Sequence, residues 1–324
     1  MSIIFGILAG IGVPIQTSIN ARLRKKVGSP YRASLVSFAV SLIFLVLLLL
    51  ILGQGVHIPF DKMLQEPVWI WFGGICSFIY VTGNILLFAK LGGTLAVILP
   101  VLGQILVGLV IDHFGFFYSL KTPISVFRIF GAVFVVAGVV IVSLAKREAG
   151  KNNPKENAHA DIWLWRIFGV LSGALSGVQT AINGHLGKVV DSPIKASAIS
   201  FTVGLSCLCV ICIGLRLMQG KCAVAQTREH MNEKNPWWMW IGGVFGGIYV
   251  LANVELAEIF GTGLAVIIIL IGLTTGGILV DHFGLFESPK KTMNVQKIVG
   301  VLCRITAAPV FVNVQYSVFW LMHK

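Results

Sequence analysis

Hydrophobic residues along this chain fall in long unbroken runs at about 3–21, 33–53, 67–89, 91–111, 125–145, 164–186, 196–215, 237–257, 261–280 and 298–320. Each is close to the roughly 20 residues a helix needs to cross a bilayer core. The runs are continuous and do not alternate apolar with polar, and helices satisfy their own backbone groups in hydrocarbon. The pattern predicts an all-α polytopic membrane protein of about ten transmembrane helices. Gly53-Gln54-Gly55, Gly92-Gly93 and Ser192-Pro193 mark connections. The stretch KREAGKNNPKENAHADI at 146–162 is polar and reads as a solvated linker. It divides a first unit, 1–145, from a second, 163–324.

The two units repeat. GILAGIGVPIQTSINARL at 6–23 aligns with GVLSGALSGVQTAINGHL at 169–186, and Ser29-Pro30 and Ser37-Phe38 return as Ser192-Pro193 and Ser200-Phe201. WIWFGGICSFIYVTGN at 69–84 aligns with WMWIGGVFGGIYVLAN at 238–253, and IDHFG at 111–115 with VDHFG at 280–284. A unit with an odd number of spans enters the membrane with opposite topology in its second copy, so the expectation is two inverted five-helix repeats. After Leu302 the repeat dissolves, where Arg304 and Pro309 interrupt the last run.

Composition sharpens this picture. Only 12% of the 324 residues are charged and 56% are hydrophobic, against about a quarter charged in a soluble domain, so the solvent of this chain is lipid. The formal charge of +12 would suggest nucleic acid in a soluble protein. Here the basic residues sit mainly in short loops, where they orient spans, and nucleic acid is not an expected partner. With the N-terminus outside, 18 of the 25 Lys and Arg fall in inner loops and six in outer ones, which favours both termini outside. The six cysteines include Cys209-x-x-Cys212, but it lies in an apolar run with no second pair. Packing rather than metal or redox chemistry is expected of it, and no metal or cofactor is expected. The first 21 residues lack a basic leading segment and match 169–186, so they read as a span and not a cleaved signal.

Taken together, G-x-x-x-G…Q-T-x-x-N, S-P followed by S-F, Gly-Gly…Tyr-Val…Asn and D-H-F-G resemble the drug/metabolite transporter superfamily, in its YdcZ-type branch. The resemblance runs from residue 3 to about 302 and covers both units. It implies a ten-helix bundle with a central cavity between inverted halves, moving a small molecule by alternating access. It also implies cytoplasmic termini, where the charge bias implies the opposite. One departure is Gln104 in LGQILVG, whose aligned position in IGLTTGG is Leu273, with Thr274 and Thr275 beside it.

Polar groups inside the membrane are the default candidates for function. Gln16 and Asn20 are four apart and share a helix face, and Gln179 and Asn183 are their repeat mates. Asn84 and Asn253 are mates in the third and eighth spans, as are Tyr80 and Tyr249. These residues, with Gln104, form the candidate substrate site. An amide both donates and accepts, which suits a neutral or zwitterionic ligand. The alternative for the amides is interhelical bonding, worth about 0.6–2 kcal/mol per bond. Pro14 adds an irregularity in the first span.

Glu255 and Glu258 lie three apart, where the repeat has Leu86 and Ala89. They are proton-coupling candidates if embedded and ordinary helix-end acids if not. Asp112-His113 and Asp281-His282 close the fourth and ninth spans. Asp112 and Asp281 complete the coupling candidates, with a structural alternative as acceptors of loop hydrogen bonds. Arg304 is open to snorkelling, carboxylate pairing or anion binding. The glycine pairs 73–74, 242–243, 246–247 and 276–277 read as packing surfaces. No nucleotide loop is present, so a chain powered by its own ATP hydrolysis is not expected.

The expected function is a secondary transporter, an exporter of a small metabolite or drug-like molecule in the cell membrane, with proton coupling open and a homodimer open. A non-transporting membrane scaffold is the alternative. A membrane enzyme is less supported, because the His, Asp and Glu residues are few and dispersed.

Overall fold

The computed structural model describes residues 2–126, except 56, 58, 59 and 92, then 129, 130 and 133, then 159–219 and 236–287. Eight long helices are present among them: α1 Ser2–Val27, α2 Pro30–Ile51, α3 Phe72–Leu91, α4 Gly93–Phe114, α5 His159–Val189, α6 Pro193–Gln219, α7 Gly242–Phe260 and α8 Thr262–Phe283. They match eight of the apolar runs; the fifth run lies almost wholly outside the described residues, and the tenth, with Arg304, entirely so. The described residues hold no strand. Among the described residues, six helical stretches are long and apolar enough to cross a membrane: α1, α2, Val68–Leu91, Pro193–Met218, α7 and Thr262–Val280. Helix ends follow local chemistry. Proline opens α2 and α6, where its missing N–H is no loss. Gly115 and Gly284, with φ of 71° and 64°, end α4 and α8 in the left-handed conformation. α5 begins at His159, inside the stretch read as linker. Its exposed Trp163 lies under the Arg166 guanidinium at 5.2 Å, a pairing suited to the membrane interface.

Small residues set the interior. α1 packs closely on α8, and α4 on α5. A methyl on Gly10 would strike the Ile269 carbonyl, and one on Gly173 the Pro100 carbonyl. Two helix backbones touch at both places, an approach that only glycine permits. Outward faces carry aliphatics: Ile43, Leu47 and Leu50 on α2, and Val210, Ile213 and Leu217 on α6 are exposed, as lipid-facing residues are. On the inner side of the same two helices, Phe38 and Phe201 meet edge to face at 4.9 Å.

The contacts also set helix directions. Along α5 and α7, Ser176 meets Tyr249, Thr180 meets Asn253, and Gly184 faces Ala257, so the two run parallel. Along α1 and α7, Gln16 faces Gly246 and Asn20 faces Gly242, so these two run antiparallel. α1 and α5, which are repeat mates, therefore point in opposite directions. The pair α1 and α8 (Gly6 to Ile268, Gly276 to Ile11) and its mate α4 and α5 (Leu99 to Gly169, Val107 to Gly177) are both parallel.

Candidate functional site

At the middle of the bundle α3, α4, α5 and α7 bring polar side chains together. The Gln104 amide Nε2 of α4 donates to Ser176 Oγ at 2.9 Å and to the Tyr249 hydroxyl at 3.1 Å, and those two oxygens lie 3.4 Å apart. Both amide protons are thereby used. Thr180 donates to Asn253 Oδ1 at 3.3 Å, and Asn253 Nδ2 to the Tyr249 carbonyl at 2.9 Å. The Tyr80 ring lies nearly parallel to that of Tyr249, at 6.3 Å between centroids, and its hydroxyl interacts with Asn84, Gln104 and Tyr249. Two buried acceptors here have no hydrogen-bond partner, Asn84 Oδ1 and Ser172 Oγ. Ser172 faces Gly83, the residue before Asn84. Among the described residues, no charged side chain is bonded to this cluster.

The cluster is one-sided. Gln104, Ser172 and Ser176 have Leu273, Ala9 and Val13 as repeat mates. These three polar residues converge on the α4–α5 side, and their three mates on α8 and α1 are apolar. Sequence reasoning found Gln104 but missed Ser172 and Ser176. A comparison of mates in the first and sixth spans would have exposed both.

The paired amides have their own setting. Gln16 Nε2 and Asn20 Nδ2 donate to Ser37 Oγ at 3.5 and 3.3 Å, and Asn183 Nδ2 donates to Ser200 Oγ at 3.1 Å. The carbonyls of Asn20, Asn183 and Gln179 are buried without a hydrogen-bond partner. Those of Asn20 and Asn183 lie on the bare faces of Gly242 and Gly73. Asn20 thus joins the start of α7 to a serine of α2, and Asn183 the start of α3 to a serine of α6.

The acids are dispersed. Asp112 is fully buried at the end of α4, where Oδ1 accepts the Thr262 N–H at 3.0 Å and Oδ2 the Gly263 N–H at 2.9 Å. It caps α8, a favourable place for an anion. Asp281 stands in the last turn of α8. Glu255 accepts from Ser2 Oγ at 2.7 Å. Glu258 turns towards Gly187 on α5, and its Oε1 is buried with no hydrogen-bond partner. Neither glutamate is bonded to the central cluster.

Two further constellations lie towards the C-terminal ends of α5 and α1. In one, His185 of α5 binds Glu66 at 2.8 Å, and its ring packs against Tyr118 at 4.8 Å and Trp69 at 5.5 Å. Trp69 also meets Phe117 edge to face at 5.3 Å. In the other, Arg22 of α1 pairs with Glu287 at 2.7 Å, and Trp238 meets Phe286 edge to face at 5.2 Å. His185 and Arg22, Trp69 and Trp238, Phe117 and Phe286, and Tyr118 and Glu287 are all repeat mates. Phe117, Tyr118, Phe286 and Glu287 hold φ between 56° and 60°. A bulky residue so placed costs about 1–3 kcal/mol and persists only where its surroundings impose it. The sequence shows the repeated tryptophans and phenylalanines, but nothing local couples Glu66 to His185, 119 positions away.

Over residues 1–141 and 164–310 the sequence matches a family described as "Putative inner membrane exporter, YdcZ". The chain belongs to the YdcZ family. It is therefore a multi-pass protein of the cell membrane, in a family described by membrane export, and the two matched segments of this YdcZ chain fall one in each repeated unit. A comparison with curated proteins found none that matches. One crystal structure, with no descriptive name, is similar to this YdcZ chain with a TM-score of 0.58. It covers 97% of this chain and 98% of its own length at 16% identity, a likeness that shows the fold alone.

Proposed function

We propose that this chain is a secondary transporter and not an enzyme: ten helices in two inverted five-helix repeats that export a small, uncharged, polar molecule by alternating access. The observation that carries the reading is the buried cluster of Tyr80, Asn84, Gln104, Ser176, Tyr249 and Asn253, with the open acceptors Asn84 Oδ1 and Ser172 Oγ beside it. An unpaired buried acceptor is costly, and a substrate N–H or O–H would satisfy it. The antiparallel course of α1 and α5 supports the inverted repeat. Gln16, Asn20 and Asn183 frame the cluster by holding α7 against α2 and α3 against α6, and their mate Gln179 offers a further open acceptor.

The repeat supplies its own conservative variants. Gln104→Leu and Ser176→Val install the residues that already stand at the mate positions 273 and 13, so the fold is expected to survive. Each is expected to raise the KM for export by about 5- to 100-fold, the loss of one or two buried hydrogen bonds, measured as efflux from proteoliposomes against a metabolite panel. Unchanged efflux in both variants would remove the cluster as the site. If export is coupled to protons, the carboxyl we assign to the task is Glu258, through its open Oε1. Glu258→Gln then keeps exchange and loses the response to an imposed pH gradient.

A further inference from the structure

The two ends of the bundle carry one design with two different ion pairs. At each end an α1-type helix carries a basic side chain near its C-terminus: Arg22 on α1 and His185 on α5. At each end that side chain meets a carboxylate beside a tryptophan, which packs on a phenylalanine held at positive φ. α1 and α5 run in opposite directions, so the two constellations lie at opposite ends. We propose that they are the latches of the two gates and that the His185 latch alone answers to pH. This inference rests on the alternating-access reading.

The physical asymmetry lies in the cations. Arginine is charged at every accessible pH, so the Arg22–Glu287 pair is constant. Histidine changes charge between about pH 5 and 8. Neutral His185 shares an ordinary hydrogen bond with Glu66, and protonated His185 shares a charge-assisted one, which is roughly twice as strong. Both partners are mostly buried, at 14% and 25% side-chain exposure, so bulk water weakens the pair little.

Several of the surrounding charges have other partners. Lys62 pairs with Asp191 at 3.1 Å, and Lys188 interacts with Glu258, as does Glu255. His113 accepts the Ile124 N–H at 3.2 Å. Lys121 lays its stem near Gly115, and Lys195 stands on the first turn of α6. A proton on His185 therefore tightens the latch, and its loss loosens it.

The test is pulsed dipolar distance measurement on the full chain in nanodiscs, with native cysteines replaced by serine. One spin-label pair sits at Leu64 and Lys188, across the His185 latch, and a second at Lys25 and Leu285, across the Arg22 latch. From about pH 5.5 to about pH 8, the open fraction at the first pair is expected to rise about five-fold, the difference between a charge-assisted and a neutral bond. The second pair is expected to close in step. His185→Arg is expected to hold the first pair closed at both pH values. Glu66→Gln, which keeps an acceptor without its charge, tests the same response if the arginine variant does not fold. Arg22→His is expected to create pH-dependent opening at the second pair. Distances at the first pair that ignore pH, or a response that survives Glu66→Gln, would overturn the latch. A pH response at the first pair with none at the second would leave the latch standing and sink alternating access.

Discussion

Asp112 shows how much a single residue's meaning depends on what meets it. As the penultimate polar residue of an apolar run it is equally a proton carrier or a structural acceptor. Folded, it gives both carboxylate oxygens to the first N–H groups of α8, 150 positions away. Removing an N-cap costs about 0.5–2 kcal/mol, and a buried anion at a helix start adds to that. Asp112→Ala is therefore expected to lower stability by about 2 kcal/mol, and Asp112→Asn by less, since an amide oxygen still accepts one N–H. Thermal unfolding in detergent followed by circular dichroism checks the order. Equal stability in all three proteins would contradict the capping role.

Among the helices, glycine has two opposite effects. Gly173 lies against the Pro100 carbonyl and has no room for a side chain, whereas a methyl on Gly214 of α6 would meet nothing within 4 Å. Gly173→Val is expected to force α5 and α4 apart, with overpacking of about 1–3 kcal/mol or more, and to lower the yield of folded protein. Gly214→Ala is expected to be neutral or to stabilise by up to about 1 kcal/mol, because alanine loses less backbone entropy in a helix. A shared melting temperature for these two variants would show that the α4–α5 contact does not limit stability. The sequence marks both positions only as glycines in apolar runs; the neighbour that separates them comes from another helix.

For the molecule as a whole, the antiparallel α1 and α5 send their C-terminal turns to opposite faces. The end of α1 and the start of α2 hold Arg22, Arg24, Lys25, Lys26 and Arg32, and the end of α5 and the start of α6 hold Lys188 and Lys195. The positive-inside bias then puts Lys25 in the cytoplasm and Lys188 outside. Single cysteines at these positions, probed with an impermeant maleimide on sealed cells, are expected to label at 188 and not at 25 until the membrane is opened. Labelling at both positions on intact cells would refute opposite ends, and labelling at 25 alone would reverse the orientation. With that orientation the His185 latch faces the outer medium.

The chain's order of apolar and polar residues was enough to establish a membrane protein, eight of its helices to within a few residues, the duplication and the family resemblance. All of these rest on local periodicity, on a bilayer thickness that sets helix length, and on similarity between two stretches of one chain. Tertiary structure decided which polar residues meet. It joined Gln104 to Ser176 and Tyr249, set Asn20 and Asn183 on bare glycines, turned Asp112 into a cap, and matched His185 with Glu66 and Arg22 with Glu287. Such pairings depend on which helices pack side by side and in which direction, and the antiparallel course of α1 and α5 carries equivalent residues to opposite ends of the bundle.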